Sequence, residues 1–140
     1  QHKGLILIAS SYHHVACYIL PLTLTEQQRL QTDGAQAITY LMPVRPSCPR
    51  WLRGSHDTLA VRLTAHPFAR QLCRSVDSAL VSTSANRSGQ RSAKTYAECQ
   101  RLFGRKVLVL TEDALRATFE SPVVVEPAVC TTQTFAPSEV

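Results

Sequence analysis

The sequence predicts an α/β layer architecture, and three observations carry that prediction. Short apolar runs of strand length recur along the chain, stretches with helical spacing lie between them, and helix-capping residues stand where those stretches begin. The first run is Gly4-Leu5-Ile6-Leu7-Ile8-Ala9, an apolar strand that starts within three residues of Gln1. After a polar stretch containing His13 and His14, Thr25 is placed to cap a helix, with Gln28 replying from the third helical position. Ala37 to Met42 is β-prone and stops at Pro43. The proline-rich run from Pro43 to Pro49 is expected as a loop that leads to Trp51 and Gly54.

Thr58 to Leu63 alternates, with Leu59, Val61 and Leu63 on one face and Thr58, Ala60 and Arg62 on the other, the pattern of a half-buried strand. Pro67 suits a first helical turn, and Phe68, Leu72 and Val76 recur at i, i+4 and i+8 as a buried stripe. Ala79-Leu80-Val81 reads as a strand. Thr95 with Glu98 makes a capping box for a helix that Gly104 ends, and Val107 to Leu110 reads as one more strand. Beyond Glu126 no periodicity is visible, Thr131-Thr132-Gln133-Thr134 included. The domain is therefore expected over residues 1–126, with a loosely ordered tail over 127–140.

A chain of 140 residues fits one domain, long enough to bury roughly two-thirds of its unfolded surface without disulfides. With 44% apolar and 18% charged residues, the composition excludes disorder and fibrous repeats. Cys17, Cys48, Cys73, Cys99 and Cys130 are odd in number, scattered and never paired as C-x-x-C. That distribution argues against a disulfide framework or zinc site and for a reducing, cytoplasmic setting. The longest apolar run, Leu5 to Ala9, is too short to span a bilayer. His13, His14, His56 and His66 lack ligand spacing, so no metal site is expected. Asn86-Arg87-Ser88 matches a glycosylation sequon, which without a secretory context is discounted. The formal net charge of +5 favours anionic partners such as nucleotides or RNA. Arg45, Arg50 and Arg53 near Trp51 form the only local basic cluster, and such a cluster is more often a solvated loop than an RNA contact.

Ser82-Thr83-Ser84-Ala85-Asn86-Arg87-Ser88-Gly89 follows directly on the strand at Ala79 to Val81. In open α/β sheets ligands gather beyond the carboxyl ends of strands. Small residues let the backbone approach a ligand closely, while hydroxyls, a carboxamide and N–H groups can hold phosphate or carboxylate oxygens. Taken alone, the same residues also describe a turn whose serines bond their own backbone.

Ser84-Ala85-Asn86 resembles the S-x-N signature of the YrdC-like family of threonylcarbamoyl-AMP synthases (TsaC-type). The resemblance extends to Lys3-Gly4-Leu5-Ile6-Leu7-Ile8, to Pro49-Arg50-Trp51-Leu52, to Thr58-Leu59-Ala60-Val61-Arg62 and to His66-Pro67. It covers most of residues 3–110 and thins out afterwards. It implies an open twisted mixed sheet with flanking helices, lacking the N-terminal part of the domain. The implied activity joins ATP, L-threonine and bicarbonate into threonylcarbamoyl-AMP for tRNA modification, with release of pyrophosphate and with Mg2+ on the nucleotide. Carried onto this chain, Arg62, Ser82 and Ser121 would bind L-threonine, the arginine by a two-pronged grip on the carboxylate. Thr58, Ser84, Asn86 and Ser92 would line the ATP side. Further implied partners are tRNA or double-stranded RNA, and another chain supplying the missing segment.

The match departs from the family in three places. The upstream threonine-binding loop and Lys-x-Arg motif, which would neutralise phosphate charge, are absent before Lys3. The Trp-Pro-Gly-Pro turn stands here as Gly34-Ala35-Gln36-Ala37, and Ser-Thr-Val-Val-Asp as Ser121-Pro122-Val123-Val124-Val125-Glu126. An incomplete site is expected, and the alternative is a non-catalytic domain that binds a nucleotide or RNA.

Overall fold

A computed structural model describes residues 4–33, 37–111, 113, 114, 117 and 131–134. Its strands are β1 (Ile6–Ala9), β2 (Ile38–Pro43), β3 (Thr58–Leu63), β4 (Leu80–Ser82) and β5 (Thr131–Thr134). Its helices are α1 (Leu24–Asp33), α2 (Arg50–Arg53), α3 (Pro67–Ser75) and α4 (Tyr96–Phe103). The strands form one mixed sheet in the order β4-β1-β3-β2-β5. β1 runs parallel to β3, with Ile6 opposite Ala60 and Ile8 opposite Arg62, and antiparallel to β4, with Ile6 opposite Ser82. β2 is antiparallel to β3, with Tyr40 opposite Val61, and parallel to β5, with Ile38 opposite Thr131. The α/β architecture expected from the sequence is the one observed.

The period of two decides which face of the sheet is buried. Leu59, Val61 and Leu63 of β3 and Leu7 and Ala9 of β1 point into the core, and Thr58, Ala60, Arg62, Ile6 and Ile8 lie half-buried on the other face. Ile38, Tyr40 and Met42 of β2, Leu30 of α1, Leu52 of α2, and Val15, Ile19 and Cys48 complete the described core cluster. Burying each such aliphatic side chain contributes about 1.5–3 kcal/mol. Two glycines make the close packing possible. A Cβ on Gly4 would stand 2.9 Å from the Arg53 carbonyl oxygen. Gly54 ends α2 at φ 67 and ψ −135, a backbone region that disfavours residues with a Cβ.

Several elements differ from the expectation in position or kind. The capping box of α1 uses Thr23 and Glu26 rather than Thr25 and Gln28. Glu26 Oε2 accepts from the Thr23 N–H and hydroxyl, both at 2.7 Å, and the Glu26 N–H donates to Thr23 Oγ1 at 3.3 Å. A charged carboxylate is the stronger acceptor, so the earlier box prevails. Helix α3 starts at Pro67 as expected, with His66 Nδ1 accepting from the Ala69 N–H. Its buried face, however, runs through Phe68 and Cys73, while Leu72 and Val76 are exposed. The small Cys73 lets the helix sit against β1, where its thiol donates to the Ile8 carbonyl at 3.7 Å. Val107 to Leu110 is not a strand, and Leu108 is 83% exposed. β-propensity builds a strand only where a paired neighbour and a face to pack on exist, and among the described residues no strand pairs with this run. Thr131–Thr134, placed in the tail by the sequence reading, pairs with the outer edge of β2. An edge strand held by backbone bonds needs no apolar alternation, so no pattern announced it.

The chain divides into two compact units, Gln1–Ser82 with Val125–Val140, and Thr83–Val124. No helix among the described residues is long and apolar enough to cross a membrane.

Candidate functional site

Three of the seven candidate residues belong to the sheet unit. Thr58 and Arg62 stand near the two ends of β3, roughly 13 Å apart at about 3.3 Å per residue. Ser82 ends β4 opposite Ile6, and Ile6 lies opposite Ala60, so the register places Ser82 on the same half-buried face as both. Arg62 is tied down within that face, its Nε donating to Thr39 Oγ1 at 2.8 Å. Thr39 is only 3% exposed, although it is polar and sits in the apolar strand β2. Its hydroxyl aims the guanidinium, and the sequence reading missed it. The available signal was the single aliphatic hydroxyl within Ile38-Thr39-Tyr40-Leu41-Met42.

Ser84, Asn86 and Ser92 belong to the second unit. The loop there folds around Asn86, whose Nδ2 donates to the carbonyls of Arg87 at 3.0 Å and Gln90 at 2.9 Å. The Asn86 N–H reaches the Ser84 carbonyl, the Gln90 N–H that of Arg87, and the Ala93 N–H that of Ala85. Gly89 turns the chain at φ 75. Asn86 Oδ1 is buried without a partner among the described residues, an acceptor available to a donor from outside the loop. Thr83 spends its hydroxyl on the Ser84 carbonyl. Downstream, Thr95 caps α4 by accepting from the Glu98 N–H. Glu98 in turn accepts from the Lys94 N–H and from Arg91, each at 2.7 Å. These bonds, the Lys94 N–H foremost, hold the Glu98 carboxyl below its ordinary pKa of 4.5. Ser121 lies outside the described residues. No group of three or more His, Cys, Asp and Glu that could hold a metal ion occurs among them.

The sheet unit offers hydroxyls and a charged fork, and the second unit, by itself, a carboxamide-organised turn; groups of both kinds suit an anionic or zwitterionic ligand. Comparison with known proteins narrows the reading. Residues 1–132 match the Sua5/YciO/YrdC family model, described as telomere recombination. The chain belongs to this family. It is 50% identical over 102 residues to the threonylcarbamoyl-AMP synthase of Nitrosococcus oceani, a match covering 73% of this chain and 55% of that protein. It is 49% identical over 110 residues to the enzyme of the same name from Methylobacillus flagellatus, covering 79% and 61%. The matches therefore span little more than half the length of these relatives. Among solved structures, Sua5 of P. abyssi complexed with L-threonine superposes with a TM-score of 0.65 at 25% identity, over 76% of this chain and 32% of that one. The family's mixed open sheet with helices is the fold observed here.

Proposed function

We propose that the protein makes L-threonylcarbamoyl-AMP from ATP, L-threonine and bicarbonate, and that this chain carries much of its substrate-binding face. The observation that most favours this reading is the sharing of one sheet face by Thr58, Arg62 and Ser82, in a chain half identical to proteins named for that synthesis. Arg62, held at Nε by Thr39, grips the threonine carboxylate, with Ser82 beside it and Ser121 as a further contact. Thr58, Ser84 and Ser92 line the nucleotide, and Asn86 keeps the loop in shape for it. Mg2+ enters with the triphosphate as part of the substrate. The threonine amine joins bicarbonate with loss of water to give a carbamate, whose oxygen bonds to the α-phosphorus as the bond to the departing pyrophosphate breaks, and positioned donors stabilise the charge that builds there. tRNA is the downstream partner in this reading, and the cytoplasm its setting.

Calorimetry on the intact protein tests nucleotide binding, with an expected affinity in the micromolar range, about −8 kcal/mol. Incubation with ATP, Mg2+, bicarbonate and labelled threonine then tests turnover, read as pyrophosphate and the adenylate by mass spectrometry. Arg62→Ala is expected to weaken threonine use far more than ATP binding. A folded protein that binds nucleotide yet forms no adenylate would show a non-catalytic nucleotide-binding domain instead.

A further inference from the structure

A cavity of about 370 Å³ opens where β1 and β3 end, lined by Ser10, Ser11, Gln31, Thr64, Arg70 and Arg74 among others. It is separate from the face described above. Thr58 and Ser82 stand at the opposite end of the parallel pair β1/β3, since Ser82 pairs with Ile6 at the start of β1. Leu63, which points into the core, also lines the cavity, whereas Arg62 lies on the other side of the sheet. Gln31 comes from α1, whose Leu30 belongs to that same core.

We propose that this cavity binds a small phosphoanion, either free phosphate or diphosphate or the phosphoryl group of a metabolite. Arg70 and Arg74 lie one turn apart on α3, so both guanidinium groups can reach one ligand. Neither has an acidic partner among the described residues. Two unneutralised arginines beside one cavity repel each other until an anion joins them, and their planar forks match phosphoryl oxygens. The hydroxyls add donors. Thr64 Oγ1 accepts from the His66 N–H, which leaves its own proton to donate, and Ser11 precedes the 3-10 turn at Tyr12–His14 without capping it. Ser10 is oriented by His14 Nδ1 at 3.2 Å, and His14 Nε2 faces Asp77 at 3.3 Å on the far side. Asp77 is thereby engaged by the imidazole.

The test is titration of the intact protein with inorganic phosphate, pyrophosphate and ribose 5-phosphate, followed by calorimetry and by amide shifts of Ser11, Thr64 and Arg74. Saturable binding of at least one, weakened tenfold or more in Arg70→Gln/Arg74→Gln, is expected. ATP binding at the serine-rich loop should stay unchanged in that variant. Ribose 5-phosphate binding more tightly than both inorganic ions would assign the site to a metabolite, and the reverse order to the free ion. Arg74→Gln alone, at an exposed position, guards against misfolding and should give part of the loss. No binding by folded protein up to about 10 mM ligand, or binding that is equal in the double variant, overturns the proposal. Retention of RNA with no response to the small anions overturns it as well.

Discussion

Leu59, Val61 and Leu63 are almost wholly buried in the sheet unit, whereas every described residue between Thr83 and Val124 is half-buried or exposed. The first unit is held by an apolar core between a sheet face and helices. The second holds its shape through hydrogen bonds: Asn86 to two carbonyls, Thr95 and Lys94 to Glu98, Arg91 to the same carboxylate. Exchanging water for intramolecular hydrogen bonds yields about 1 kcal/mol each, less than one buried aliphatic side chain contributes. Stability therefore resides in the sheet, and the loop proposed to hold nucleotide is drawn from the weakly held part, where ligand-responsive segments are commonly found.

The sharpest way to break that contrast is a matched pair of truncations. Leu59→Ala removes a core side chain that is 1% exposed and is expected to cost about 2–5 kcal/mol in urea unfolding. Leu108→Ala, at 83% exposure, is expected to change stability by less than about 0.5 kcal/mol. Equal losses would mean that the second unit has a core of its own. Next in size is Gly4→Ala. The added methyl meets backbone, the Arg53 carbonyl oxygen at 2.9 Å, and cannot be relieved by a side-chain rotation. A loss of about 1–3 kcal/mol is expected, as for overpacking elsewhere. An unchanged midpoint would show that the link between Leu5 N–H and Leu52 carbonyl can shift without penalty.

The same contrast explains what could be read from the sequence. Alternation in Thr58 to Leu63 placed Leu59, Val61 and Leu63 inside and Thr58 and Arg62 together outside, because a period of two translates directly into faces. It failed for α3, where Phe68, Leu72 and Val76 satisfied helical spacing but the close approach to β1 selected Cys73. It failed again at Val107 to Leu110, whose composition favours a strand but which no described strand pairs with. Ser84 and Asn86 were legible as a motif, since small and polar residues crowd one short stretch whose turn is then organised by Asn86. Thr39 was not, because its role arises only when β2 pairs with β3.

Thr39→Val sharpens the comparison within the sheet unit by preserving shape while removing the hydroxyl. It leaves Arg62 Nε without that partner, and a stability loss of about 1 kcal/mol is expected. Threonine dependence should worsen while nucleotide binding holds, and Thr39→Ser should restore most of both. Losses in nucleotide binding of the same size would instead mark Thr39 as a residue of the core.

The smallest effect lies in the second unit and depends on pH. The Glu98 carboxyl is held below its ordinary 4.5 by the Lys94 N–H first and by Arg91 next, so the ionised form is the one the folded unit prefers. A depressed folded-state pKa contributes stability that is present above the unfolded value and is lost as pH falls through the folded value. The turn into α4 should therefore loosen only in acid below pH 4.5, while the core strands of the sheet unit, with no Asp or Glu among the described core residues, keep their packing there. Amide shifts of Lys94 and Glu98 followed against pH read this locally. Glu98→Gln should abolish the acid transition at Lys94, because the amide side chain cannot titrate, and should leave the shifts of Leu59 and Val61 untouched. A transition that persists in Glu98→Gln would mean that another group governs the turn. A transition shared by Lys94 and Val61 would mean that the two units unfold as one.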